Sequence, residues 1–140
     1  DTIHCASILR ATPDESTIMP LHVTSAGKIF LANVPVERFN KYFTSQEIRK
    51  YTKFSVTSPG KLKKELKTVK EDNLAYDIEE HVIGLSSVAA GIKDINGNIV
   101  GAAAVIGPVV RLTLGKLRKM APMVKKCADD ISSNLGWRNN

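Results

Sequence analysis

Apolar and polar residues alternate at the start of the chain: Ile3, Cys5 and Ser7 fall on one side of an extended backbone and His4, Ala6 and Ile8 on the other, which predicts a strand over residues 2 to 9. A polar stretch from Ala11 to Ser16 interrupts it. The period then changes. Thr24-Ser25-Ala26-Gly27-Lys28 places a hydroxyl ahead of the periodic apolar residues Ile29, Phe30 and Leu31, so a helix starts there and ends near Asn33, before Pro35. Pro35 suits a first helical turn, with Val36, Phe39 and Phe43 following at spacings of three and four, and residues 45 to 52 read as another short helical turn. Ser58-Pro59-Gly60 opens a further helix to about Asp72, carried by Leu62, Leu66 and Val69.

Beyond Asn73 the period becomes two. Leu74 to Ile78 and Val82 to Lys93 read as extended, with Gly84 as a bulge, and the Asn96-Gly97 pair marks a hairpin to a strand over Ile99 to Ile106, antiparallel to the run before it. Gly101, Ala102, Ala103 and Ala104 leave room for close approach to that strand. Thr113 then caps a long helix with an apolar stripe through Leu114, Leu117, Met120, Ala121, Val124, Cys127, Ala128, Ile131 and Leu135; Pro122 should kink or restart it and Gly136 should stop it. These elements predict an α+β fold, a mostly antiparallel sheet with helices packed on its faces.

Composition narrows the class. A chain of 140 residues, 43% hydrophobic and 24% charged, suits one globular domain. The longest uncharged run, 95 to 110, is too short and too interrupted by glycine and proline for a membrane span. Cys5 and Cys127 sit in apolar contexts without a CxxC motif, which predicts two reduced, buried thiols and a cytoplasmic setting. The net charge of +6 invites a nucleic-acid reading, but Lys61, Lys63, Lys64, Lys67 and Lys70 interleave with Leu62, Leu66 and Val69 as the solvated face of a helix, and no glycine-aromatic run offers a stacking platform. The chain starts at Asp1, inside a strand-like pattern, as a fragment would.

Chemistry is sparse. His4, His22 and His81 do not form a metal-ligand spacing, and GxSxG, P-loop and GxGxxG motifs are absent, so neither a metal nor a cofactor is implied. Glu79 and Glu80 at a strand end read as solvated, whereas Asp77, after Leu74, Ala75 and Tyr76, should be partly buried and therefore partnered, by the backbone of a turn or by a ligand. An enzyme with Asp77 as general base would lack a nucleophile and a second acid. The small residues Thr24 to Gly27 form a helix start whose N–H groups favour an anion, such as a small organic acid.

Several of these residues also occur in a familiar order: Pro20 to Lys28, then Ala75-Tyr76-Asp77-Ile78-Glu79-Glu80, Gly84, Val88-Ala89-Ala90, Ile92-Lys93-Asp94, Asn96-Gly97, Val105-Ile106-Gly107-Pro108, Arg111-Leu112-Thr113 and Ile131-Ser132. Over roughly residues 20 to 136 this set resembles the effector-binding domain of IclR-type (isocitrate lyase regulator) transcription factors. The resemblance implies a GAF-like α+β domain spanning residues 1 to 140, with the winged helix-turn-helix DNA-binding domain absent from this chain. It further implies a small organic acid as effector and a homodimer or homotetramer. DNA would be reached through the missing N-terminal domain rather than through this segment, with no membrane partner.

Carried over from a glyoxylate-binding member of the family, the resemblance implies ligand contacts at Ser25 and Ala26 on the helix start, at Asp77, Leu85 and Ser87 on the first strand pair, and at Ala104 and Ile106 on the last strand; Thr24 and Gly27 join the candidate site through the anion-favouring helix start. The chain departs from that relative at three of these: Ser87 replaces a cysteine, and Ala104 and Ile106 replace two serines. The pocket should therefore be less polar, suited to an acid whose apolar part faces Ile106 and Leu85 and whose polar end meets Ser25, Ala26 and Ser87. The alternative to a metabolite sensor is a ligand-free dimerisation or signalling domain.

Overall fold

The computed structural model describes residue 3, residues 19–44 and residues 48–138, so the strand predicted over residues 2 to 9, and Cys5 with it, lies outside the described residues apart from Ile3. Among those described, four helices and three strands follow in the order α1 (Ser25–Asn33), α2 (Val36–Thr44), α3 (Pro59–Asp72), β1 (Leu74–Ile78), β2 (Leu85–Lys93), β3 (Ile99–Pro108) and α4 (Leu114–Asn134). The strands form an antiparallel sheet in the order β1-β2-β3. Its two faces carry different helices.

Alternation along β2 sorts the packing. Val88 and Ala90 point to α4, where Leu117, Ala121, Val124 and Ala128 bury against them, while Ala89 points to the opposite face and meets Ile29 of α1 and Val69 of α3. A third cluster, Leu31, Phe39, Leu62 and Leu66, seats α2 and α3 on α1. Full burial of side chains such as Ile29, Leu62 and Leu117 contributes about 1.5–3 kcal/mol each, enough to set which helix face turns inward.

Local signals fixed most of the boundaries. Thr24 caps α1, its hydroxyl accepting the Gly27 N–H at 3.2 Å, and Thr113 caps α4 by accepting from Lys116. Gly97, at φ 81°, closes the turn between β2 and β3 while Asp94 accepts from the N–H groups of Asn96 and Asn98. At the end of α4, Gly136 adopts φ 91°, and the bonds Gly136 N–H to Ser133 O and Trp137 N–H to Ser132 O form a Schellman stop.

Other expectations need correction. Residues 48 to 52, the described part of the helical turn expected over 45 to 52, are not helical. Gly84 is not a bulge: residues 82–84 belong to the turn between β1 and β2, where Gly84 takes φ 86° and accepts from the Val109 N–H, and the register shift falls instead at Ile92/Lys93. Pro122 does not restart the chain as a second element. The helix runs through it because the carbonyl it leaves unpaired, that of Arg118, lies on the exposed side of α4 where solvent can donate to it. Cys127 is exposed, not buried, since the sheet takes only the narrow line Leu117, Ala121, Val124, Ala128 and Ser132, and Cys127 lies off that line.

Candidate functional site

Between α1 and the sheet lies a cavity of about 320 Å³. The register explains its floor: Asp77 of β1 pairs with Ser87 of β2, which pairs with Ile106 of β3, so the three side chains form one row across the sheet on the side that faces α1. Ala104 lies one step along the same face, opposite Ala89. The start of α1 supplies the facing wall with Thr24, Ser25, Ala26 and Gly27, and Leu85 closes the end toward the turn. All nine residues expected to contact a ligand thus line one cavity. Met19, Leu21, Phe30, His81 and Val82 complete the lining and were not anticipated; no local signal marks them, because they enter through the loop before α1, the outer face of α1 and the turn after β1.

The polar groups are few and buried. Ser25 and Ser87, 2% and 4% exposed, hold their hydroxyl oxygens 2.7 Å apart. Two hydroxyls carry two protons and their mutual bond uses one, so the pair keeps a donor for the cavity. Thr24 has less to offer: its hydroxyl donates to Pro20 O at 2.8 Å and accepts from Gly27. With the Gly27 N–H taken and that of Lys28 bonded to Thr24 O, the helix start leaves the N–H groups of Ser25 and Ala26 unspent by helix geometry.

Asp77 does what a structural aspartate does and also faces the cavity. Its Oδ1 accepts the Glu80 N–H at 2.9 Å, organising the turn. Burial pushes its carboxyl above the ordinary range, against the backbone donors of Glu80 and His81 and the charge of Lys28, which pull it down. Among the described residues no lysine or arginine lines the cavity. An anion there would rely on the serine hydroxyls and the helix start.

Glu79 and Glu80 are not solvated as expected. Glu79 Oε1 accepts the Gly84 N–H at 2.8 Å, and Glu80 Oε1 holds Lys28 Nζ at 2.6 Å. Lys28 is wholly buried and also bonds Glu65 Oε1 at 2.7 Å and Tyr76 O at 3.0 Å. On the other side of the turn, Thr52 and Ser55 donate to the carbonyls of Glu79 and Glu80, docking residues 51–55 there. His22 is also buried: Arg49 O can only accept, so Nε2 carries the proton, and Nδ1 accepts from the Tyr42 hydroxyl. Burial holds this imidazole below its usual range, despite the Arg49 bond. His22 and His81 flank Tyr51, with ring centroids 5.9 and 5.2 Å from it, yet no metal-binding cluster forms among the described residues.

Comparison with known proteins identifies the family of the chain. The family described as "Bacterial transcriptional regulator IclR C-terminal" matches residues 1–133. The transcriptional repressor IclR of Escherichia coli (strain K12) is 29% identical over 136 residues, 97% of this chain and 50% of that protein. The repressor AllR of Salmonella typhimurium (strain LT2) is 32% identical over 134 residues, 96% of this chain and 49% of that protein. The chain therefore spans about half the length of the curated relatives it matches. The crystal structure of Thermotoga maritima IclR superposes with a TM-score of 0.87 at 28% identity, covering 98% of this chain and 56% of that one. The α+β architecture and the match along nearly all of the sequence agree: this chain belongs to the IclR C-terminal family of bacterial transcriptional regulators, which are regulators and not enzymes.

Proposed function

We propose that the chain is the metabolite-sensing part of a transcriptional regulator and that its effector occupies the cavity between α1 and the sheet. The single observation that carries this reading is the cavity itself: about 320 Å³, walled mainly by apolar side chains, with one buried hydroxyl pair and one buried carboxyl converging on it. A domain serving only for dimerisation would gain more from filling that space, since an unfilled cavity costs packing energy.

The effector is a small organic acid. Its apolar part lies against Leu85 and Ile106, and its polar end meets Ser25, Ala26 and Ser87; Thr24, Gly27 and Ala104 shape the wall. Asp77 would repel a carboxylate placed beside it, so it either accepts from a hydroxyl of the ligand or acts only on the turn. Occupancy alters the packing between protomers of a homodimer or homotetramer, and through it the spacing of DNA-binding domains carried on the other half of the full-length protein. Such a regulator works in the cytoplasm, where the bacterial chromosome lies. Among the described residues no helix is long and apolar enough to cross a membrane.

Thermal shift against hydroxy, oxo and aromatic acids tests the reading, because a ligand at 100 times its Kd adds about 2.7 kcal/mol. A hit abolished by Ile106→Trp, which fills the cavity, supports it. A hit that survives that substitution places the ligand elsewhere, and a ligand that leaves operator affinity of the full-length protein unchanged refutes the coupling.

A further inference from the structure

Beneath the cavity wall, Lys28 Nζ meets two carboxylates, Glu65 of α3 and Glu80 of the turn after β1, while Asp77 lies near enough for its charge to act on Glu80. With every group ionised, one cation faces three anions. Glu80 is the worst placed: its side chain is 12% exposed and its Oε2 is buried with no hydrogen-bond partner. A buried charged oxygen without a donor carries a large desolvation cost, which a proton removes. Glu65, at 34% exposure, can keep its charge toward solvent and neutralise Lys28. A proton on Glu80 Oε2 leaves Oε1 free to go on accepting from Lys28.

We propose that the Lys28–Glu65–Glu80 cluster holds one proton in mildly acidic solution, carried by Glu80, and that releasing it on the way to alkaline pH loosens the turn after β1 together with the 51–55 segment docked on it. Burial, only partly countered by Lys28, pushes the Glu80 carboxyl up to about 7. Connectivity supplies the rest. The Glu80 N–H donates to Asp77 Oδ1, and the Glu80 carbonyl accepts from Ser55 Oγ at 2.7 Å and Thr52 Oγ1 at 3.2 Å. The same turn carries His81 and Val82 to the cavity. The charged groups facing Glu80 are thus Lys28 from α1, Glu65 from α3 and Asp77 from β1, with His81 next in the chain; the docked segment offers hydroxyls, and its Lys53 lies exposed over the Phe54 ring. The proton state of one glutamate therefore reaches a cavity wall, whatever molecule the cavity takes.

The sign follows from linkage. The closed site binds a proton that the opened one, with an ordinary carboxyl near 4.5, has released, so opening becomes easier as pH rises from about 4.5 to about 7 and then levels off. Glu80→Gln copies the protonated form. It should melt above the wild-type protein at pH 8, with the difference vanishing toward pH 5. Hydrogen exchange in residues 51–55 and 79–84, corrected for intrinsic rates, should lose up to roughly tenfold in protection per pH unit between about 5 and 7 in the wild type and show no such loss in the variant. His81→Asn should keep the wild-type profile. A Gln variant less stable than wild type at pH 8, or a pH profile that disappears with His81 instead, overturns the proposal. Carboxyl-carbon titration of the wild-type protein gives an independent reading that needs no variant: a glutamate with a midpoint near 7 supports it, and glutamates that all titrate in the ordinary range near 4.3 refute it.

Discussion

The hydroxyl oxygens of Ser25 and Ser87 are 2.7 Å apart across 62 residues of sequence, one at the start of α1 and the other in the middle strand of the sheet. That bond ties the two walls of the cavity together. Removing either hydroxyl leaves its partner buried without a bond, so Ser25→Ala or Ser87→Ala should each cost about 1–3 kcal/mol, and the double variant less than the sum of the two. Urea denaturation of all four proteins checks the cycle; strict additivity would show that the bond contributes nothing.

Ile106 and Ala104 set how polar the cavity is. Ile106→Ser together with Ala104→Ser restores two hydroxyls, and the double variant should bind glyoxylate measurably more tightly than the wild type does, by calorimetry. Equal binding in the two proteins would remove these positions from the determinants of specificity.

Gly27 cannot carry a side chain. A Cβ there would stand 2.5 Å from Leu21 Cα and from Thr24 Oγ1, and 2.6 Å from Leu21 O. Two of these atoms are backbone and cannot move aside alone. Gly27→Ala should therefore destabilise by about 1–3 kcal/mol or more despite the better helix propensity of alanine, as read from the midpoint of chemical unfolding.

His22 gives a pH dependence opposite in direction to that of Glu80. Its imidazole is held below the ordinary value of 6.5, so the unfolded chain binds a proton that the folded one refuses, and stability falls as pH drops below about 6.5. His22→Gln should flatten that acid-side loss while weakening the protein at pH 8, where the bonds to Arg49 O and Tyr42 are intact in the wild type. Thermal melting from pH 5 to 8 reads both effects.

How much of this was legible in the sequence depends on the range of the interaction. The caps Thr24 and Thr113, the stop at Gly136 and the turn at Gly97 rest on neighbours a few residues away, and the chain itself displays them. Of the cavity residues, Asp77 and the helix start Thr24 to Gly27 could be read from the residues themselves, whereas Leu85, Ser87, Ala104 and Ile106 were reached through family resemblance, since no periodicity joins Ser25 to Ile106. The Lys28 cluster escaped altogether: its bonds span 37 and 52 residues, and a lysine among the apolar residues of α1 reads locally as a polar interruption. Cys127 misled for the converse reason, an apolar neighbourhood in sequence that the narrow contact line of α4 does not include.

Trp137, the only tryptophan in the chain, rests on the hairpin turn, its ring where a Gly97 Cβ would stand and the Lys93 ammonium 5.0 Å from its centre. Lys93 and Ser87 are separated by six residues of β2, about 20 Å of extended strand. The chain thus carries an intrinsic fluorophore anchored at the end of the sheet remote from the cavity. Its emission will follow loss of the whole fold and stay silent when the cavity fills, so an optical assay of occupancy needs a second indole introduced beside Phe30.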